Sequence, residues 1–115
     1  MRLKINGQIY PVSEEKSRLT ESISRLSPCS LTLARSAEHE YYGTLPETVE
    51  VAGARKTSHV EAGGIYYFQA WNAFSLNYKE MDINPYQVHV IGKADTSLAE
   101  ALASCGRSVE AEILK

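Results

Sequence analysis

The sequence predicts a mainly β protein, a small barrel of about eight strands with two helices. Apolar and polar residues alternate with a period of two through much of residues 29–91, as in strands with one buried face. Glycines at 43, 53 and 63–64 divide that region at intervals of about ten residues, which is typical of a barrel or sandwich. The 115 residues, 43% of them hydrophobic, are enough for one core, so residues 1–115 are predicted to form a single domain.

The N-terminal segment predicts a β-hairpin. Residues 2–5 and 8–12 alternate, and the Asn6-Gly7 pair between them is typical of a type I′ turn. We expect this first strand to pair with the last one, so that Lys4 faces acidic residues such as Glu112.

Two helices are predicted, at about residues 14–26 and 97–104. Ser13 is expected to cap the first, which carries an apolar stripe formed by Leu19, Ile23 and Leu26. Ser97 and Glu100 have the spacing of a capping box at the start of the second. The other predicted strands lie around residues 31–33, 49–51, 65–71, 74–78, 86–91 and 109–113.

The net charge and the distribution of apolar residues indicate which partners and which cellular compartment to expect. The net charge of −2 gives no electrostatic reason to expect nucleic acid or an anionic membrane as a partner. No apolar run approaches 18 residues, and the start lacks a secretory pattern, so a soluble, cytoplasmic protein is expected. In that compartment Cys29 and Cys105 are predicted to be reduced and unbridged, and an oligomer is compatible with the sequence.

Two histidines and a glutamate are spaced as the ligands of a metal site could be. His59 and Glu61 share a strand face, and together with His89 they could ligate a divalent ion, as in a cupin-like metal-dependent barrel. The favoured interpretation is a solvent-facing His-Glu pair, with no metal and no cofactor. His39 is predicted to lie exposed in a turn. No nucleophile elbow or phosphate-binding loop is present.

The unusual feature is the aromatic density between residues 66 and 86, where seven of the ten aromatic residues lie. In Tyr66-Tyr67-Phe68 adjacent rings must face opposite sides of a strand, so at least one ring points away from the core. A purely structural cluster is one interpretation. The other is a surface cleft that binds a small molecule or peptide, with aromatic walls and hydrogen-bonding side chains. Its predicted residues are Tyr42, Trp71, Asn72, Tyr86 and His89.

Three stretches together carry a family resemblance. Residues 40–47 contain a Y-G-x-L-P segment, residues 61–67 are similar to an A-G-D-x-x-Y turn and strand, and residues 74–78 with 90–93 are similar to the closing half. The chain resembles the small bacterial and archaeal cyclophilin-like proteins, often described as domains of unknown function. Gly64 departs from that pattern, because the family often has an acidic residue there.

The resemblance implies a closed barrel of about eight strands with two helices. It also raises the alternative of a divergent peptidyl-prolyl cis-trans isomerase, since true cyclophilins act on the prolyl amide through an arginine. Arg55, beside Lys56, is the nearest candidate by character, although it matches no specific motif. We therefore expect a binding protein of uncharacterised function without isomerase activity.

Overall fold

A computed structural model describes residues 1–115, which form eleven strands and two helices. In chain order these are β1 (Arg2–Ile5), β2 (Gln8–Glu14), α1 (Arg18–Leu26), β3 (Cys29–Ser36), β4 (Glu40–Thr44), β5 (Lys56–Thr57), β6 (His59–Val60), β7 (Gly64–Phe68), β8 (Ala73–Asn77), β9 (Met81–Asp82), β10 (Val88–Ala94), α2 (Thr96–Ala103) and β11 (Ser108–Leu114). A short 3-10 turn, Gln69–Trp71, connects β7 to β8. No helix is long and apolar enough to cross a membrane.

Eight of the strands close into an antiparallel barrel, in the order β2-β1-β11-β3-β4-β8-β7-β10, with β10 pairing back to β2. At this closure Gly92 lies opposite Glu14, and a Cβ on Gly92 would collide with the carbonyl oxygen of Ser13. Only glycine permits so close an approach of the two strands. The predicted fold class is confirmed.

The predicted N-terminal hairpin is present. β1 pairs with β2, and both turn residues have positive φ, 47° at Asn6 and 89° at Gly7, as a type I′ turn requires. The first strand also pairs with the last, with Lys4 opposite Glu112, which confirms that expectation.

The predicted helix bounds need correction. The first helix begins at Arg18 rather than near residue 14, because Gln8–Glu14 continues as a strand to close the barrel on β10. Its cap is therefore Ser17, whose side chain accepts a hydrogen bond from the Thr20 backbone in a capping box. The second helix begins at Thr96 and is capped by Asp95, whose carboxylate accepts from the Ser97 N–H at 2.6 Å.

Three predicted strands also differ from those in the structure. The strand expected over residues 65–71 ends at Phe68, and Gln69–Trp71 form the 3-10 turn instead. Residues 49–51 form no strand, because Val49 and Val51 pack against the core from within a loop instead of joining a ladder. The strand expected to start at Tyr86 begins at Val88, which leaves Tyr86 in the preceding loop.

The barrel strands present two different faces. Side chains that point inward, including Tyr41, Tyr67 and Phe74, join one core together with Leu19 and Ile23 of α1 and Leu98 and Leu102 of α2. Side chains on the opposite face of β7 and β10 form a smaller outer cluster of Val60, Tyr66, Val88 and Val90. The strands β6 and β9 pair as a separate two-stranded ribbon that contributes Val60 to this outer cluster.

Candidate functional site

An open groove of about 290 Å³ lies on the outer face of the barrel. Four neighbouring strands, β4, β8, β7 and β10, supply Glu40, Tyr42, Ala73, Ser75, Phe68 and Val88. Ser36, the last residue of β3, lies at its rim, and the connecting segments supply the other rim residues, Ala37, His39, Trp71, Ile83 and Tyr86. The groove is thus built on a rigid sheet and bordered by loops, as binding sites commonly are.

The concave shape follows from the sizes of the outward side chains. The central strand β8 presents Ala73 and Ser75, which are small and form the floor. Tyr42 of β4 lies directly opposite Ser75, and Phe68 of β7 lies directly opposite Ala73. Because neighbouring strands are only about 4.8 Å apart, large rings beside a strand with small outward residues leave a trough.

Four aromatic rings wall the groove. The Trp71 ring centroid lies 5.6 Å from that of Tyr42 and 5.0 Å from that of Phe68, and the Trp71 and Phe68 planes are at 84°. The Tyr86 ring is likewise nearly perpendicular to Phe68, at 88° and 6.3 Å. Trp71 and Tyr86 are 59% and 64% exposed, the largest exposures among the bulky apolar side chains.

A polar chain runs along one end of the groove. The Asn77 side-chain amide donates to Ser75 Oγ at 3.2 Å, and the Ser75 hydroxyl donates to Glu40 Oε1 at 2.7 Å. The other carboxylate oxygen, Oε2, lies 3.3 Å from Nε2 of His39. No Arg or Lys side chain lines the groove, and Glu40 is its one carboxylate.

The hairpin turn beside Glu40 is strained. Ala37 and Glu38 both have positive φ, 53° and 59°, a region that residues with a Cβ rarely adopt. His39 follows directly and is 6% exposed, so the prediction of an exposed turn histidine was wrong. Its ring is held in place because Nδ1–H donates to the Ala37 carbonyl oxygen at 3.1 Å.

Of the five residues predicted for a cleft, Tyr42, Trp71 and Tyr86 meet in the groove. Asn72 lies behind it, where it ends the 3-10 turn in a left-handed conformation with φ 49°. Its side chain accepts from the Tyr67 hydroxyl at 2.5 Å and donates to the carbonyl oxygens of Leu45 and Glu47. Asn72 therefore fixes the turn that carries Trp71 instead of facing the groove.

His89 lies on the other face of the sheet from the groove. It pairs in register with the inward Tyr67, whereas its neighbour Val88 lines the groove. The ring is 6% exposed and its Nδ1 has no hydrogen-bond partner. Burial and the nearby Lys56 charge lower the pKa of His89, so the neutral form is favoured.

The residues of the metal alternative are dispersed. The His59 ring lies 2.8 Å from Glu80, Glu61 lies 3.5 Å from Lys93, and His89 is within the barrel. No three His, Cys, Asp or Glu side chains are close enough to hold an ion. The ligand set of a cupin-like centre is therefore not assembled.

Comparison with known proteins identifies the family. The profile described as the Cyclophilin-like family matches residues 3–114, almost the whole chain. The chain belongs to the Cyclophilin-like family. No curated protein sequence matches it at a significant level.

Two solved structures share the cyclophilin-like fold. One is the solution structure of a hypothetical protein from Archaeoglobus fulgidus, with a TM-score of 0.71 and 19% identity over 98% of this chain and 91% of that one. The other is McbB in complex with tryptophan, with a TM-score of 0.69 and 11% identity. This chain is covered over 99% of its length but spans only 44% of the McbB chain. At these identities the likeness concerns the fold alone.

Two positions singled out by the cyclophilin-like resemblance have structural explanations. Arg55 forms an ion pair with Glu15 at 2.7 Å and does not line the groove. A Cβ on Gly64 would collide with the ring of Tyr66, whose hydroxyl oxygen accepts the Glu61 N–H at 2.9 Å. An acidic side chain at position 64 would have to displace that ring.

Sequence reasoning missed several groove residues in this cyclophilin-like chain, most importantly Glu40, Phe68 and Ser75. The signal for Glu40 was its spacing from Tyr42, because residues i and i+2 of a strand share a face. Phe68 could have been placed in the same way from Tyr66. Ser75 had no such signal, since its role depends on the pairing of β8 with β4.

Proposed function

We propose that this protein binds a small molecule in the outer aromatic groove. The observation that carries the proposal is the convergence of Tyr42, Trp71 and Tyr86, from three separate segments, on one concave surface. When a ligand covers large rings that are exposed together to solvent, the removal of their apolar surface from water favours binding. The positive φ at Ala37 and Glu38 adds support, because backbone strain often persists where function requires it.

The size of the groove favours a small molecule over an extended peptide. At about 290 Å³ it is near the lower limit of pockets that hold small ligands, about 300–1,000 Å³. Prolyl isomerisation would additionally need a donor or cation to polarise the amide. Because no Arg or Lys lines the groove, we expect no turnover of proline peptides above the uncatalysed rate.

The single tryptophan provides a direct test. Trp71 is the only tryptophan of the chain, so its fluorescence reports on the groove alone. Titration with a library of small molecules that do not fluoresce like indole is expected to yield compounds that shift this emission, and tryptophan, with which McbB was solved, is tested by backbone amide shifts instead. Tyr42→Ala should weaken their binding at least about ten-fold, since it removes a hot-spot ring.

Ile9→Ala is the matched control, because Ile9 is an exposed apolar residue of β2 outside the groove. It should leave every affinity unchanged. A library that never perturbs Trp71, or compounds whose binding is insensitive to Tyr42→Ala, would contradict the proposed function.

A further inference from the structure

We propose that the ligand of this groove is a small organic cation whose ammonium group carries methyl or other apolar substituents. The inference rests on the proposed function and specifies the chemistry of its ligand. Two independent features support it: the arrangement of the rings, and the carboxylate of Glu40 in a groove without Arg or Lys.

The four rings that line the groove meet one another at an angle instead of stacking flat. Phe68 is nearly perpendicular to both Trp71 and Tyr86, and Tyr42 closes against Trp71 at 41°. A cation in such a space approaches several ring systems, whose faces carry negative electrostatic potential. Methylated ammonium groups are recognised by aromatic cages because their charge is diffuse and weakly hydrated, which lowers the cost of removing water.

Glu40 supplies the complementary charge. Its side chain is only 25% exposed, so water screens its charge less than at an open surface. Asn77 donates to Ser75, and the Ser75 hydroxyl then donates to Glu40 Oε1, so this chain of donors stabilises the carboxylate as an acceptor.

The second carboxylate oxygen of Glu40 has one polar side chain beside it. His39 Nε2 lies 3.3 Å from Oε2, but Nδ1–H of the same ring is used by the Ala37 carbonyl. The tautomer protonated at Nδ1 alone would leave Nε2 as an acceptor that faces Oε2. A positive group beside Oε2 would pair with the carboxylate, whereas an anion would be repelled by it.

The test uses three probes of similar shape that differ in charge: one is a cation, one is neutral and one is an anion. Choline carries a trimethylammonium group, dimethylbutanol replaces that group by neutral tert-butyl, and dimethylbutyrate is an anion with the same apolar end. Binding is measured by Trp71 fluorescence and confirmed by backbone amide shifts of β4 and β8. We expect choline to bind at least about ten-fold more tightly than dimethylbutanol, and dimethylbutyrate to bind most weakly.

Glu40→Gln is the decisive variant, because it keeps the shape of the side chain and removes its charge. It should weaken choline binding by about ten-fold and leave dimethylbutanol binding unchanged. Glu47→Gln, which changes an exposed carboxylate outside the groove, serves as the charge-matched control and should change neither.

The outcomes separate this inference from the proposed function. Equal affinities for choline and dimethylbutanol, or a preference for dimethylbutyrate, would overturn the cation inference while leaving a small-molecule groove intact. Failure of choline to bind would also overturn it, whereas the library titration judges the groove itself. Choline binding that Glu40→Gln does not weaken would remove the assigned role of Glu40.

Discussion

The two faces of the same strands carry aromatic residues that are held in different ways. Inside the barrel the Tyr41 hydroxyl donates to the Gly106 carbonyl oxygen at 2.6 Å, and the Tyr67 hydroxyl donates to Asn72. On the outer face Trp71 and Tyr86 are more than half exposed, and both rings contact Phe68. The interior rings are thus held by the fold, whereas Trp71 and Tyr86 remain largely exposed to solvent.

Adjacent residues show how sharply the two regions are divided. Tyr41 is fully buried in the core, and Tyr42, the next residue of β4, walls the groove. On β8 the inward Phe74 is flanked by the outward Ala73 and Ser75 that form the groove floor. Because strand side chains alternate, one sheet can provide a core and a binding surface without compromise between them.

The largest effect is expected from the interior. Phe74→Ala should lower the free energy of unfolding by about 3–5 kcal/mol, because it leaves a cavity among fully buried neighbours. Urea denaturation followed by circular dichroism measures this change, with Ile9→Ala as the exposed control. A loss below about 1 kcal/mol would show that the barrel interior is not the dominant core.

Gly92→Ala should have the next largest effect on stability, because Gly92 lies where β10 pairs with β2 to close the barrel, and both faces of the sheet depend on that closure. The added Cβ would collide with the Ser13 carbonyl oxygen, and we expect a loss of about 1–3 kcal/mol. Gly106→Ala is the matched control, since a Cβ there would meet nothing within 4 Å. Equal stability of the two variants would contradict the tight pairing of β2 with β10.

Asn72→Ala should affect both regions at once, because Asn72 connects Tyr67 inside the barrel to the turn that carries Trp71. We expect a loss of about 1–3 kcal/mol from the broken hydrogen bonds and the left-handed backbone. The Trp71 emission maximum should shift as well. Asn72→Gly relieves the backbone strain alone, so a full recovery in that variant would argue against the role of the side chain.

The histidines give smaller effects of opposite sign. Burial lowers the pKa of His89, so its contribution is fully present above pH of about 6.5 and is lost as pH falls through the folded value. His59, beside Glu80, has a raised pKa, so its contribution is present at acid pH and is lost as pH rises through the folded value. Urea unfolding measured from pH 5 to 8 should therefore show a smaller loss of stability at acid pH in His89→Gln than in the unsubstituted protein. An unchanged pH profile in that variant would contradict the buried, neutral state of His89.

Much of the barrel could be predicted from the sequence, because alternation and the Asn6-Gly7 turn are local signals. The bounds of α1 could not, since the continuation of β2 to Glu14 depends on its pairing with β10, a contact distant in sequence. The same limit explains the two misplaced cleft residues. Asn72 and His89 were assigned by chemical type, but their directions are set by the turn geometry at Asn72 and by the β10 register.

The groove residues were predicted only in part. Tyr42, Trp71 and Tyr86 were predicted from the aromatic surplus and the family resemblance, and Trp71 also from its position before a turn, where a large ring is poorly placed for a core. Glu40 and Ser75 required the β4–β8 register, which no local pattern specifies. Which residues come together on a sheet is therefore harder to predict than which residues leave the core.

The most direct test of the division between the two faces is the unfolding free energy of Trp71→Ala, measured beside that of Phe74→Ala by urea denaturation and circular dichroism. Trp71 touches Tyr42 and Phe68 but is 59% exposed, so we expect a loss of only about 1 kcal/mol, with the binding of groove ligands abolished. A loss as large as that of Phe74→Ala would mean that the outer rings also hold the fold together. The aromatic groove would then be a second core and not a binding site.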